Sequence, residues 1–207
     1  MNLATLLERA ARVFPDRPAV IRGTTPVADF RTLADRVARL AHALRHDLGL
    51  APGDRVALFM TNCTEYLEVL LGVWWAGCAA VPVNAKLHPK ELDYIVGNSG
   101  ARCVFATPDL AAAVASVAGD ARTIVAGSDR YRRLFGDAAL ERADAAPTDL
   151  AWLFYTSGTT GKPKGVPWRQ HAMLGTACMN ARVSEMSRSS RVLQTTPAFH
   201  IGGRGYV

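Results

Sequence analysis

The sequence is poor in lysine and cysteine, and it has no apolar run of membrane-spanning length. Of its 24 lysine and arginine residues, only four are lysines. The four cysteines are widely spaced and form no Cys-x-x-Cys pair, which excludes the common zinc and dithiol signatures. We expect them to be reduced core residues of a cytoplasmic protein. They are Cys63, Cys78, Cys103 and Cys178.

The apolar segments indicate neither a membrane span nor a secretion signal. The longest run, residues 69–81, is shorter than the roughly 20 residues that cross a bilayer, and Gly72 and Gly77 interrupt it. Near the N-terminus, Glu8 and Arg9 stand where a signal peptide needs apolar residues. The run therefore predicts a buried helix that leads into a buried strand.

The charge balance does not point to nucleic acid, and the histidines do not point to a metal. The net charge is +6, but the arginines are scattered apart from residues 130–133, which indicates a solvated surface. His42 and His46 have helical i, i+4 spacing. However, Ala43 occupies the place of the zincin glutamate, and no third ligand is evident. We expect neither nucleic-acid binding nor a metal site.

Helix and strand patterns alternate along most of the chain, which predicts an α/β fold with mostly parallel strands. Predicted helices are 33–48, with Thr32 and Asp35 as a capping box, then 64–76, 89–98, 109–118 and 172–186. Predicted strands are 55–60, 79–83, 102–106, 123–126, 150–155 and 192–195. Residues 129–149 are predicted to form a surface excursion.

The most informative segment for chemistry is residues 155–166, Tyr-Thr-Ser-Gly-Thr-Thr-Gly-Lys-Pro-Lys-Gly-Val. Its glycines let the backbone approach a ligand closely. Its hydroxyls, with Lys162 and Lys164, supply donors for phosphate oxygens, and these two are half of all the lysines. A solvated hairpin loop has a similar composition. Residue types alone therefore leave a phosphate cradle and an ordinary turn equally open.

The segment is not a Walker A loop. That motif has four residues between its first glycine and its Gly-Lys pair, and Ser or Thr follows the lysine. Here only two residues separate Gly158 from Gly161, and Pro163 follows Lys162. A P-loop kinase or GTPase is therefore disfavoured.

Residues 155–166 resemble the complete phosphate-loop signature of the adenylate-forming enzymes, which include acyl- and aryl-CoA synthetases. Two more segments are similar to that family and occur in the expected order. One is residues 71–102, with its Pro-Val-Asn and Pro-Lys-Glu-Leu motifs, and the other is Thr196-Pro-Ala-Phe-His, followed by two glycines. The resemblance implies an α/β fold and extends over nearly the whole chain.

The resemblance also implies a two-step reaction. A carboxylate attacks the α-phosphate of ATP to give an acyl-adenylate and pyrophosphate, and coenzyme A then takes the acyl group. Mg²⁺ helps to neutralise the phosphate charge. The residues that would hold the β- and γ-phosphates are Thr156, Ser157, Gly158, Thr159, Thr160, Gly161 and Lys164.

His200 is the candidate catalytic residue, because the resemblance places it near the α-phosphate and the mouth of the carboxylate pocket. A lone histidine at a strand end is more often structural, but Pro197 and Phe199 stand in register with the family motif. Amino-acid-activating domains usually have Asp after the aromatic residue. His200 therefore favours an acyl-CoA ligase acting on a fatty or related carboxylic acid.

One departure concerns the start of the predicted helix at 89–98. His88 stands where the family often has Thr or Ser, and histidine is a poor helix cap. Pro89 and Glu91 still indicate a helix start at this point.

The family's downstream motifs do not occur in these 207 residues, so we expect the N-terminal part of a ligase that is inactive alone. By resemblance, residues 55–185 would form one α/β subdomain, and 1–54 with 186–207 would belong to a second, unfinished one. Two alternatives stay open. One is a non-catalytic remnant with weak phosphate or nucleotide binding, and the other is a fragment of an amino-acid adenylation domain.

Overall fold

A mostly parallel sheet forms the centre of the protein. The computed structural model describes residues 1–117, 122–156 and 162–200. The strands of the sheet are β3 (Arg55–Phe59), β4 (Ala79–Pro82), β5 (Ala101–Ala106), β6 (Arg122–Val125), β7 (Leu150–Thr156) and β8 (Lys164–Arg169). Their spatial order is β6-β5-β3-β4-β7-β8, and all neighbours are parallel except β7 and β8. The predicted α/β class is confirmed.

Both faces of the central strands are buried, because alternate residues of these strands enter two separate cores. In β3, Val56 and Leu58 enter one core, while Ala57 and Phe59 enter the other. All four side chains are inaccessible to solvent or nearly so. A strand that buries consecutive apolar side chains on both faces in this way needs helices on both sides of its sheet.

Helices cover the two faces unequally. The first core is covered by α1 (Thr5–Val13), α2 (Phe30–His42), α3 (Thr64–Trp75), α6 (Asp129–Arg133) and α7 (Gln170–Val183). The second is covered by α4 (Pro89–Ser99) and α5 (Ala111–Ala115), which a 3₁₀ turn at Pro108–Leu110 precedes. None of the described helices is long and apolar enough to cross a membrane.

Two helix starts differ from expectation. Asp29 caps α2 by accepting a hydrogen bond of 2.7 Å from the Thr32 backbone N–H, so the expected box at Thr32 and Asp35 is wrong. At α4, His88 does act as the cap. Its Nδ1 accepts from the Lys90 N–H at 3.2 Å, and Glu91 accepts from the His88 N–H at 3.1 Å. An imidazole nitrogen here replaces the hydroxyl of an ordinary capping box.

Other elements were missed, or differ from the prediction. The antiparallel pair β1 (Pro18–Arg22) and β2 (Thr25–Asp29) was not predicted, and neither was β8. The predicted strand at 192–195 is wrong. That segment has no regular structure, and Leu193 is 84% exposed, because nothing in the described chain pairs with its backbone. The predicted helix at 109–118 is also shorter than expected.

The cysteines only partly match the expected core positions. All four thiols are free. Cys78 and Cys103 are buried and Cys63 is half-buried, but Cys178 on α7 is exposed. The prediction failed for Cys178 because α7 places only one side of its surface against the core.

Candidate functional site

A cleft of about 460 Å³ opens at the carboxyl ends of β4 and β7. Ligands commonly bind at this edge in open α/β sheets. The cleft walls combine residues from three separate sequence motifs: Asn84 after β4, Thr156 at the end of β7, and Phe199 with His200 from the last described turn. The predicted site residues Thr156 and His200 therefore lie on one surface.

Most of the cleft wall is apolar. Val83 and Leu87 contribute from the segment between β4 and α4, and Ile95 contributes from α4. Phe154 and Trp168 contribute from the β7–β8 pair. The polar groups are few and include Glu91, which is held by its hydrogen bond to the His88 backbone. An apolar wall with a few polar groups suits a ligand that has a hydrophobic body and a polar end.

Strands β7 and β8, which pair antiparallel, include the first and last residues of the predicted phosphate loop. Thr156 ends β7 and pairs with Lys164, the first residue of β8, so these two predicted residues are brought together. Lys164 is exposed. The other predicted phosphate-binding residues, Ser157, Gly158, Thr159, Thr160 and Gly161, lie outside the described residues. The antiparallel pairing of β7 with β8 and the predicted phosphate-binding residues therefore occur in the same segment, residues 155–166.

The base of this hairpin is held against α4. The Tyr155 hydroxyl donates a hydrogen bond of 2.7 Å to Asn98 Oδ1, and burial raises the pKa of the Tyr155 phenol, which favours the protonated donor. A Cβ at Gly165 would lie 3.3 Å from the Tyr155 ring, so glycine allows the ring to pack close to β8. Lys162 lies with its Nζ 5.8 Å from the Tyr94 ring centroid, within cation–π range.

His200 is presented by a tight turn. Its backbone N–H donates to the Pro197 carbonyl at 3.0 Å, and the Phe199 and His200 rings meet edge to face with centroids 6.4 Å apart. His200 is exposed at the cleft wall, while Ala198 beneath it is buried.

Asn62 is a residue at this site that sequence reasoning missed. Its side chain donates to the Thr196 carbonyl at 2.9 Å and accepts from the Ala198 N–H at 2.6 Å. The available signal was its position just beyond the carboxyl end of β3. No motif marks a side chain that bonds only to backbone atoms.

The described residues offer no ready metal centre. Among residues 1–117, 122–156 and 162–200, no three His, Cys, Asp or Glu side chains are grouped so as to hold an ion. His42 and His46 are stacked with ring centroids 4.4 Å apart, as expected from their helical spacing.

The structure is that of an α/β protein with a cleft at the carboxyl edge of a mostly parallel sheet. The sequence profile of the family described as AMP-binding enzyme matches residues 7–207. The chain belongs to this AMP-binding enzyme family, which confirms the resemblance to adenylate-forming enzymes.

Similar proteins include feruloyl-CoA synthase from Amycolatopsis sp, which is 38% identical over 208 residues covering 96% of this chain and 40% of that protein. Long-chain-fatty-acid–CoA ligase FadD13 from Mycobacterium tuberculosis is 32% identical, covering 97% of this chain and 41% of that protein. The inhibitor-bound N-terminal domain of FACL13 from Mycobacterium tuberculosis superposes with a TM-score of 0.85 at 27% identity. That superposition covers 99% of this chain and 53% of the other.

The chain spans about two fifths of the length of the curated relatives that it matches.

Proposed function

We propose that this chain is the N-terminal part of an ATP-dependent carboxylic acid–CoA ligase that acts through an acyl-adenylate. The observation that carries this proposal is the meeting of Thr156 and His200 on one cleft at the carboxyl ends of β4 and β7. Membership of the AMP-binding family supports the same chemistry. The named activities of feruloyl-CoA synthase and FadD13 support a CoA ligase in particular.

In the proposed first step, a carboxylate oxygen attacks the α-phosphorus of ATP, and the bond to pyrophosphate breaks. Thr156, Lys164 and the loop between them would hold the β- and γ-phosphates and the departing pyrophosphate. Lys164 is exposed at the start of β8, and a lysine ammonium is a compact point charge on a rotatable stem, so it would be able to follow the phosphate as it leaves. His200 would lie beside the reacting carboxylate and α-phosphate.

In the proposed second step, the coenzyme A thiol attacks the acyl carbonyl and AMP leaves. The acid would lie with its apolar part against the cleft wall, where Leu87, Ile95 and Trp168 provide hydrophobic surface. This supports a fatty or related carboxylic acid as the substrate class.

Mg²⁺ fits this chain only as an ion that arrives with ATP. The oxygen donors on the described cleft wall include Thr156, Asn84 and Glu91, but they do not form a closed set of ligands. Mg²⁺ is commonly held by one or two protein groups together with substrate phosphates. When bound, it would supply charge neutralisation, while Thr156 and Lys164 position the phosphate chain.

The proposal extends to the division of the chain into subdomains and to the cellular location of the protein. Residues 55–185 contain all strands of the main sheet, which supports treating them as one α/β subdomain, with 1–54 and 186–207 assigned to a second. The free buried thiols of Cys78 and Cys103 support a reducing, cytoplasmic location.

Two experiments test the ligase proposal. This 207-residue chain alone should give no carboxylate-dependent ATP–pyrophosphate exchange, because it spans only about two fifths of its active relatives. A longer polypeptide that contains it should give exchange. Robust exchange by the pure 207-residue chain would show that it needs no further residues, and no exchange in either protein would favour a non-catalytic remnant.

In the longer polypeptide, Lys164→Ala should lower ATP–pyrophosphate exchange by about 10²-fold, because one charged donor to the phosphates is lost. Transfer from supplied acyl-adenylate to coenzyme A should change little. Lys90→Ala, an exposed lysine at the start of α4, is the matched control and should be neutral. Equal losses in both half-reactions for Lys164→Ala would contradict a role in handling pyrophosphate.

A further inference from the structure

Asn62 connects two parts of the protein that are distant in sequence. It follows β3, whereas its two hydrogen-bonding partners belong to Thr196 and Ala198, on either side of Pro197. Its amide donates to one backbone atom and accepts from the other. The chain is therefore fixed on both sides of the proline, which immediately precedes the turn that carries His200.

The loop that carries Asn62 is itself attached to the sheet. The Thr61 backbone N–H and its hydroxyl both donate to the Thr107 hydroxyl oxygen at 3.2 Å. Thr107 follows β5 and is only 4% exposed. The loop that carries Asn62 is therefore attached to the carboxyl ends of β3 and β5, and the Asn62 side chain holds the Thr196–Ala198 backbone in a fixed position relative to these strands.

We propose that Asn62 is a positioning residue that holds His200 at the cleft through the backbone of Thr196 and Ala198. This inference rests on the proposed ligase function. Residues 191–197 are exposed and Ala198 is buried, and the Thr196 carbonyl also accepts a hydrogen bond from Gln194 Nε2 at 2.8 Å. We call the two hydrogen bonds of Asn62 to Thr196 and Ala198 the clamp. Because a small error in the placement of a reacting group greatly lowers the reaction rate, loss of the clamp would affect catalysis more than stability.

The chemistry of the clamp requires one donor and one acceptor on the same short side chain. Aspartate at position 62 has nearly the same shape but offers two acceptors, so it can accept from Ala198 and would repel the Thr196 carbonyl. Alanine offers neither group. Asn62→Asp therefore removes only the contact with Thr196, whereas Asn62→Ala removes both contacts.

The test is a double-mutant cycle in the longer polypeptide, measured as carboxylate-dependent ATP–pyrophosphate exchange. Asn62→Ala should lower kcat/KM for the carboxylate by about tenfold, as expected for a misplaced reacting group. Adding Asn62→Ala to His200→Ala should cost almost nothing more, because Asn62 acts through His200. Additive losses would overturn the proposal, because a merely structural role does not depend on His200.

Asp54→Ala is the matched control, because Asp54 accepts from the Ala51 backbone N–H at the opposite end of β3. It should leave exchange unchanged in both backgrounds.

A second measurement separates failure of this inference from failure of the ligase proposal. In this chain, hydrogen exchange at the Ala198 amide should be at least several-fold faster in Asn62→Ala, because its acceptor is lost, and unchanged in Asp54→Ala. Unchanged exchange at Ala198 would overturn the clamp. If no variant catalyses ATP–pyrophosphate exchange but hydrogen exchange at the Ala198 amide is faster in Asn62→Ala, the hydrogen bonds of the clamp exist. In that case the catalytic role assigned to them is wrong.

Discussion

Two cysteines of the same chain, Cys78 and Cys178, differ in their exposure to solvent. Burial raises the pKa of the Cys78 thiol to about 12 and that of Cys63 to about 11. Cys178 stands exposed on α7. A buried thiol next to apolar groups resists ionisation because the thiolate loses its hydration.

This difference predicts how stability changes in alkali. Above pH 9, the unfolded chain releases the Cys78 proton, while the folded protein keeps it until about pH 12. The free energy of unfolding should therefore fall as pH rises from 9 to 12. One such proton contributes at most about 1.4 kcal/mol per pH unit.

Urea unfolding at several pH values measures this slope. Cys78→Ala should make the slope shallower, whereas Cys178→Ala should leave it as in the wild-type protein. A slope that Cys78→Ala does not alter would contradict the assignment.

At the scale of elements, a partly buried ion pair connects three helices. Arg36 on α2 donates two hydrogen bonds to Glu68 on α3, at 2.5 and 2.9 Å. Tyr131 on α6 donates to the same carboxylate at 2.7 Å, and burial raises the pKa of its phenol far above the ordinary range. The Arg36 guanidinium also lies 4.0 Å from the Phe135 ring centroid. The Glu68 side chain, at 13% exposure, is thus the common acceptor for these elements.

Glu68→Ala should lower the free energy of unfolding by about 2–3 kcal/mol, because Arg36 and Tyr131 would lose their acceptor in a partly buried setting. Asp129→Ala removes an exposed ion pair with Arg132 and should cost less than about 0.5 kcal/mol. Urea denaturation compares the two variants. A similar small cost for both would show that the Glu68 network contributes little.

The central elements could be predicted because their patterns are strong. Strand β3 is apolar from Val56 to Phe59, and α3 leads into the buried β4, so burial on both faces is visible in the sequence. β8 contains Gly165 and Pro167, which are typical of turns, and only its pairing with β7 makes it a strand. The predicted strand at 192–195 failed for the opposite reason, because its apolar residues lack a partner in the described chain.

The site was predictable only where a continuous motif carries it. Thr156 and His200 came from motifs, and the fold brings both to the cleft. Their mutual proximity depends on the order of strands in the sheet, which no local pattern determines. The bonds of Asn62 and the contact of Tyr155 with Asn98 depend on long-range geometry, and no sequence motif marks either of them.

For the molecule as a whole, residues 2 and 3 form an anchor, a set of hydrogen bonds that joins the N-terminal segment to three distant parts of the chain. Asn2 is only 1% exposed and donates to the carbonyls of Trp74 and Ala143 at 2.5 and 2.9 Å. The next residue, Leu3, donates its backbone N–H to Gln170 at the start of α7. The N-terminal segment thus connects α3, the excursion after α6, and α7.

Asn2→Ala should lower the free energy of unfolding by about 2 kcal/mol, because a side chain that is only 1% exposed loses its hydrogen bonds to the Trp74 and Ala143 carbonyls, and the Ala4 N–H loses its acceptor. Leu6→Ala, four residues further and 46% exposed, should change it by less than about 0.5 kcal/mol. Thermal unfolding monitored by circular dichroism provides the comparison. Equal effects of the two substitutions would show that the anchor does not matter to global stability.

The position of β8 at the edge of the main sheet has a consequence for how copies of this protein behave together. An exposed edge strand offers unpaired backbone groups on which a second chain can add a strand and begin to aggregate. Proline has no N–H to donate, and Lys164 and Arg169 at the two ends of β8 carry like charges that repel another copy. In the described chain, Pro167 and these two cations therefore disfavour pairing of the β8 edge with a second copy.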